Sequence, residues 1–514
     1  MLKENTADLE DQCDRIVPKF PEEWNTRPLT IVVLGASGDL AKKKTFPALF
    51  SLFCNGLLPS SVQIVGYART KFADLAEVHS KISSYFSKKP SWQCHLQAFL
   101  KLVTYVAGGY DKVEDFAVLD AEVSKLEATK GDASKNGGGC RLYYLALPPT
   151  AFVGACTGIK GTAMAKNGGW TRVIVEKPFG RDTATSELLS RQLGALFSED
   201  QIFRIDHYLG KEMVQNIVTL RFANKVFTNL WDTNSIAYVQ ITFKEKIGTE
   251  GRGGYFDEFG IIRDVVQNHL TQVLALIAME KPRSLSAEDI RNEKVNVLQY
   301  IEPVRVEECV IGQYTANSAM PGYLDDPTVP KGSNCPTFAC MRIRINSDRW
   351  RNVPFIIKAG KALEDKQVSI RIQFHEEIQP FLNKTWRNEL VIRAQPDEAM
   401  YMKVTAKVPG IGHDVQQTEL DLTYGKRFGV VLPEAYESLI NEAMLGSSTN
   451  FVRSDELKAA WEIFTPLLHA VDRGELKPVP YAAGSRGPKE ADDLIAAAGM
   501  KRAAGYVWQA KSNV

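Results

Sequence analysis

The stretch Leu29-Thr30-Ile31-Val32-Val33-Leu34, closed by Gly35, restricts what this chain can fold into more than any other part of it. Six consecutive apolar or β-branched residues leave no polar face, so a strand built from them must be covered on both sides. Parallel sheets flanked by crossover helices provide that cover. Lys42 to Asn55 follows with helix-type apolar spacing, and the strand signal returns at Val62 to Gly66, at Leu142 to Leu147 and at Val173 to Val175. The alternation predicts a doubly wound, Rossmann-type α/β domain.

The turn between the first strand and the first helix reads Gly35-Ala36-Ser37-Gly38-Asp39-Leu40-Ala41. In such a domain this is where a dinucleotide pyrophosphate meets the amides at a helix N-terminus, with glycine wherever the backbone approaches closely. Gly35, Ser37, Gly38, Asp39 and Leu40 are therefore candidate cofactor ligands. A strand-to-helix turn without a ligand is the plainer reading of the same residues. After the second strand the chain reads Gly66-Tyr67-Ala68-Arg69, with a guanidinium where an NAD enzyme carries an acid. Arg69 suits the 2′-phosphate of NADP, unless it merely opens the next loop.

With 514 residues, the chain is long enough for two large domains. Residues 1–27 are polar, contain Pro18 and Pro21, and are expected to be an N-terminal extension. Residues 28–204 form the expected NADP-binding domain. From 205 to 514 alternating segments such as Ile236 to Lys244, Met341 to Ile345 and Ser369 to His375 predict half-buried antiparallel strands in a larger α+β domain. Gly131 to Gly139 is expected to be a surface loop, and Ala491 to Trp508 a helix with a docked aromatic tail. The formal charge of +1 offers no global field for nucleic acid or an anionic membrane. Eight scattered cysteines lack zinc spacing, so no metal site is expected and a reducing compartment is. No apolar run approaches the ~20 residues that cross a bilayer, and Met1 to Asp14 lacks a signal-peptide core, so the expectation is a soluble, cytoplasmic protein, with an additional organelle pool left open.

Two segments concentrate reactive side chains. Arg204-Ile205-Asp206-His207-Tyr208-Leu209-Gly210-Lys211-Glu212 joins an acid, an imidazole, a phenol and an ammonium. If it is helical from His207, then His207 and Lys211 share a face at i, i+4 and can hold a phosphate dianion; a solvated charged face is the alternative. Asp257 to His269 precedes an apolar helix from Leu270 to Met279. His269, one of seven histidines, suits a general base if a carboxylate fixes its tautomer, although a hydrogen-bonded helix histidine is commoner.

In combination these motifs resemble the glucose-6-phosphate dehydrogenases: G-A-S-G-D-L-A at Gly35, E-K-P-F-G at Glu176, R-I-D-H-Y-L-G-K-E at Arg204 and F-D-E-F-G-I-I-R-D at Phe256. The likeness runs from Leu29 to Trp508 and includes G-Y-L-D-D-P at Gly322, A-G-K-A-L at Ala359, R-N-E-L-V-I-R at Arg387 and F-V-R-S-D-E-L at Phe451. It implies that His269 is the base, Asp206 its orienting carboxylate, and Lys177 a contact to both the reacting sugar and the cofactor, with a cis peptide at Pro178. It further implies His207, Tyr208, Lys211 and Lys361 on the sugar phosphate, Glu245, Asp264 and Gln395 on sugar hydroxyls, and Lys366 near the same pocket.

The implied reaction converts glucose 6-phosphate and NADP to the 6-phosphoglucono-δ-lactone and NADPH, in a homodimer or homotetramer whose substrate binding and oligomerisation fall to residues 205–514. Some family members hold a second, structural NADP, and Arg371, Arg393, Tyr401, Asp421, Arg486 and Trp508 match that site. Lys358, Gln367 and Arg502 depart from its pattern, which predicts that a second NADP is not tightly held. Two readings compete with this one: a dehydrogenase of another sugar or phosphosugar, and a catalytically silent NADP sensor on the same fold.

Overall fold

The computed structural model describes residues 28–129, 139–376, 385–423, 427 and 432–501. The N-terminal extension with Cys13, most of the glycine-rich segment after Gly131, and Arg502 and Trp508 lie outside the described residues.

β1 (Leu29–Leu34) is buried at every position, as its composition demands. It pairs in parallel with β2 (Val62–Ala68) on one edge and β4 (Cys140–Leu145) on the other, Leu29 standing opposite both Val62 and Cys140. With β3 (Val103–Ala107), β5 (Thr171–Val175) and β6 (Ile202–Arg204), the order is β3-β2-β1-β4-β5-β6, all parallel. Val32 and Leu34 point into one apolar layer with Phe116, Leu119 and Phe152; Ile31 and Val33 point into the other with Phe46, Phe50 and Phe99. The strand order reverses between β1 and β4, which opens a crevice at their C-terminal ends.

The second sheet has nine strands: β7 (Ile236–Lys244), β8 (Cys309–Thr315), β9 (Phe338–Ile343), β10 (Phe355–Gly360), β11 (Gln367–Phe374), β12 (Glu389–Gln395), β13 (Ala399–Lys407), β14 (Val415–Thr423) and β15 (Val479–Ala482), in the order β14-β13-β12-β11-β7-β10-β9-β8-β15. It is mainly antiparallel, with β7–β10 and β8–β15 parallel. The half-buried expectation fails in its centre: β7, β9 and β11 are buried along most of their length, because helices cover one face and neighbouring side chains close the other. β13 keeps the alternation of buried and partly exposed positions, and the edge strand β14 has no buried position. One continuous apolar cluster joins Val32 and Tyr143 of the first sheet to Ile241 and Phe355 of the second, through the helices Thr271–Ala278 and Ser454–Asp472.

The segment after β6 is not helical from His207. Residues 207–210 form a turn, and the helix starts at Glu212, with Lys211 extended at ψ 130° as its cap. Gly210 is required there, since a Cβ would lie 2.4 Å from the Ala435 carbonyl oxygen. His207 and Lys211 therefore meet the site as loop residues, not as a helical i, i+4 pair.

Candidate active site

The crevice is floored by the glycine turn. Gly35 has φ +81°, and a Cβ on it would fall 2.2 Å from the Ala146 carbonyl oxygen, so no other residue fits without moving β4's exit. The Gly38 amide donates to the Gly35 carbonyl at 2.8 Å, and a π-helical turn, Ala41–Thr45, starts just beyond. Ser37 Oγ accepts from Thr70 Oγ1 at 2.9 Å, tying the turn to the end of β2. Asp39 faces outward between Lys42 and Lys43, at 3.5 and 2.9 Å. Arg69 is exposed, its guanidinium 5.7 Å from the Tyr110 ring. A glycine cradle at the switch point with an unobstructed guanidinium beside it fits a dinucleotide carrying a 2′-phosphate.

At the mouth of the same crevice stands the histidine–carboxylate pair. Asp206, just past β6, and His269, near the end of the π-helix Ile262–Leu270, are both buried. Sixty-three residues apart in sequence, they meet with Asp206 Oδ1 2.6 Å from His269 Nδ1. Asp206 Oδ1 also accepts from the Tyr208 amide at 3.0 Å, while Oδ2 is buried without a hydrogen-bond partner among the described residues. Burial pushes the Asp206 carboxyl up, but the charge of His269 and their hydrogen bond outweigh it and hold the group at about 2. Burial lowers His269, and Asp206 opposes that fall without cancelling it. The imidazole thus rests neutral at neutral pH with Nδ1–H on the carboxylate and Nε2 free to accept a proton. The Tyr208 ring stacks on His269 at 4.5 Å, and His207 meets it edge-on at 4.4 Å. Donor atoms of Asp206, His207 and His269 come within 4.8 Å of one another. One pair of that trio is already committed to the short hydrogen bond of a base and its carboxylate.

Around the pair lies a ring of cations. Lys177 Nζ donates to the Asp264 carbonyl at 2.6 Å and to Oδ1 at 3.1 Å, beside a cis Lys177–Pro178 bond. Burial raises Asp264, but Lys177 and Lys361 outweigh it and leave the carboxyl below its ordinary value. Lys361 Nζ is 2.5 Å from Glu245 Oε2, and Lys211 Nζ donates to Gln395 Oε1 at 2.9 Å. Lys211 is lowered chiefly by burial, with Lys366 and Lys44 adding repulsion. Lys366 itself is exposed at the rim. Burial also depresses His207, helped by the charge of His269. Every substrate candidate therefore gathers in one neighbourhood, with Lys366 outermost. Three residues in contact with it were not assigned from the sequence: Tyr144, Glu176 and Tyr436. Glu176 lies inside a quoted motif, but nothing around Tyr436 marks it, because only the fold brings helix Ala435–Leu445 to the loop at His207.

A cavity of about 250 Å³ opens elsewhere, on the second sheet. Lys358, Gln367, Arg371 and Arg486 line it. Its cations are already matched internally: Lys358 donates to the Arg486 carbonyl at 2.7 Å, Arg371 and Lys403 lie 3.1 and 2.7 Å from Glu389, and Lys244 lies 2.8 Å from Glu364. No histidine lines it and its carboxylates, Glu364 and Glu389, are held in those ion pairs, so the chemistry belongs to the crevice at Asp206 and His269.

Residues 32–216 match the family described as glucose-6-phosphate dehydrogenase, NAD binding domain, and residues 218–509 match glucose-6-phosphate dehydrogenase, C-terminal domain. The chain is 56% identical over 486 residues to the cytoplasmic isoform of glucose-6-phosphate 1-dehydrogenase of Solanum tuberosum, covering 93% of each chain. It is 55% identical over 503 residues to cytoplasmic glucose-6-phosphate 1-dehydrogenase 6 of Arabidopsis thaliana, covering 96% of each. A solved glucose-6-phosphate dehydrogenase in complex with its substrate glucose 6-phosphate superposes with a TM-score of 0.89 at 45% identity, over 93% of this chain and 99% of that one. Likeness of this extent, across both sheets and through the histidine–carboxylate crevice, places the chain in the glucose-6-phosphate dehydrogenase family.

Proposed function

We propose that this protein oxidises glucose 6-phosphate at C1 to 6-phosphoglucono-δ-lactone while NADP is reduced to NADPH. The observation that carries the reading is the buried 2.6 Å contact of Asp206 with His269, ringed by Lys177, Lys211 and Lys361. His269 Nε2 takes the proton of the C1 hydroxyl, and Asp206 holds the ring in the required tautomer and stabilises the imidazolium that forms. NADP, when bound, supplies the acceptor for the hydride that leaves C1. Gly35, Ser37, Gly38, Asp39 and Leu40 cradle its pyrophosphate, and Arg69 meets the 2′-phosphate. Lys177 spans the reacting sugar and the cofactor. His207, Tyr208, Lys211 and Lys361 receive the sugar phosphate, with Lys366 at the rim, and Glu245, Asp264 and Gln395 receive hydroxyls.

Lys361 and Lys211 are partnered by Glu245 and Gln395 before substrate arrives, so the phosphate dianion must draw them from those partners. A neutral sugar would not, which favours the phosphorylated substrate. Residues 28–204 serve as the NADP-binding unit and 205–514 as the substrate-binding and oligomerising unit of a cytoplasmic homodimer or homotetramer. The relatives named as cytoplasmic isoforms support that location. No described helix is long and apolar enough to cross a membrane.

The test is absorbance at the NADPH band with NADP and NAD in parallel, on wild type and His269→Asn. Turnover of the variant should fall by about 10²–10⁴, with the KM for glucose 6-phosphate within about tenfold. Near-wild-type turnover would make His269 structural and overturn the mechanism.

A further inference from the structure

The base sits in a stretch of chain wound more widely than an α-helix. Over Ile262–Leu270 the backbone is π-helical, and it narrows to an α-helix only at Thr271–Ala278. Such winding is rare and usually confined to a single turn, whereas here it runs through nine residues. Side chains bond to its backbone along that length. Thr271 Oγ1 donates at 2.8 Å to the Val266 carbonyl, five residues back, and the Thr271 amide reaches the same oxygen. Asn268 Nδ2 donates at 3.1 Å to the Arg263 carbonyl, also five residues back, while its Oδ1 accepts the His269 amide at 2.7 Å. Between them, the Asp264 carbonyl accepts from Lys177 Nζ at 2.6 Å.

The winding decides which residues share a face. Asp264 and His269 are five positions apart, and around an α-helix they would be turned about 140° from each other. Bonding from i to i+5 widens the turn to nearly that many residues and brings the two back to one side. They do serve one crevice: Asp264 Oδ1 lies 3.1 Å from Lys177 Nζ, His269 Nδ1 lies 2.6 Å from Asp206 Oδ1, and Lys177 and Asp206 line the same small cavity.

We propose that Asn268 and Thr271 are positioning residues: their side chains hold the chain around His269 in its wide winding, and that winding sets the base and the hydroxyl ligand Asp264 on the same side of the crevice. The inference rests on the assignment of His269 and Asp264 to the substrate. Thr271 is buried and Asn268 half-buried, so water does not readily replace the bonds they make. Without those bonds the stretch relaxes toward α-helical bonding. The His269 ring then turns about the helix axis and leaves Asp206, while the segment stays helical.

The experiment is steady-state kinetics together with proton NMR of the free enzyme, on Thr271→Val, Thr271→Ser and Asn268→Ala, with His269→Asn alongside. The proton between His269 Nδ1 and Asp206 gives a far-downfield line, identified by its loss in His269→Asn. Thr271→Val keeps the shape of the side chain and loses the hydroxyl. It and Asn268→Ala should each lower kcat by about ten- to a hundredfold, leave the KM for NADP within about twofold, and shift or abolish the downfield line. Thr271→Ser restores the donor and should keep the line and a kcat within about threefold of wild type. If Thr271→Val folds poorly, Asn268→Ala carries the same test from a half-buried position. Near-wild-type turnover in either folded variant, a loss of turnover with the line unmoved, or a Thr271→Ser as poor as Thr271→Val would overturn the proposal. The line reports geometry without turnover. If it moves in both variants while His269→Asn keeps its turnover, the winding role stands and the assignment of the base fails.

Discussion

At the scale of single residues, charge placement decides both cofactor choice and pH response. Arg69 is exposed beside the cradle and makes no ion pair among the described residues, which leaves its guanidinium available to a 2′-phosphate. Arg69→Ala should therefore raise the KM for NADP by about one to two decades and that for NAD within about twofold. Equal changes for both cofactors would remove Arg69 from the 2′-phosphate site. A different carboxyl governs stability. Glu442 is raised from its ordinary 4.5 to about 7, first by burial, against the Asn450 and Gln215 amides that donate to its Oε1 at 2.6 and 3.4 Å. A folded pKa above the unfolded one means that the native state holds the proton more tightly. Its contribution is fully present below about 4.5 and is lost as pH rises through about 7. Glu442→Gln removes the titration and keeps the Oε1 acceptor. Its Tm should match wild type near pH 5 and exceed it at pH 8, read by thermal melts at both values.

At the scale of elements, the strand-to-helix turn is the least forgiving piece of the molecule. Gly35→Ala would place a methyl 2.2 Å from the Ala146 carbonyl oxygen and force an alanine to φ +81°. The variant should lose several degrees of Tm and bind NADP at least about tenfold more weakly, measured by melting and by fluorescence titration. This turn was legible in the sequence because its signals are local: a run of β-branched residues, glycine at the reversal, then helical spacing. The loop at His207 was legible only as composition. Its shape is set by the helix Ala435–Leu445 docking over Gly210, a contact more than two hundred positions away, so the expected helix at His207 gave way to a turn. The central strands of the second sheet misled for a similar reason: β7 alternates in polarity, yet Gln240 and Thr242 are buried, hydrogen-bonded to each other in the wall of the cavity on that sheet. Tyr436 was silent in sequence because only the fold brings its ring beside His207.

At the scale of the whole molecule, the chemistry is divided between two sheets. Asp206 hangs from the last strand of the parallel sheet, and His269 ends a π-helix packed against β10 of the other. Their 2.6 Å contact exists only while that seam is closed. Catalysis thus reports the docking of two halves of the polypeptide, not the integrity of either. In a urea titration, turnover should disappear at lower denaturant than far-ultraviolet ellipticity, as the crevice opens before the strands melt. Superimposable curves would mean that docking and unfolding are one event. If the curves separate, a cell can hold this chain with nearly all of its secondary structure intact and none of its reducing power, and a ligand that bridges the crevice would act first as a splint.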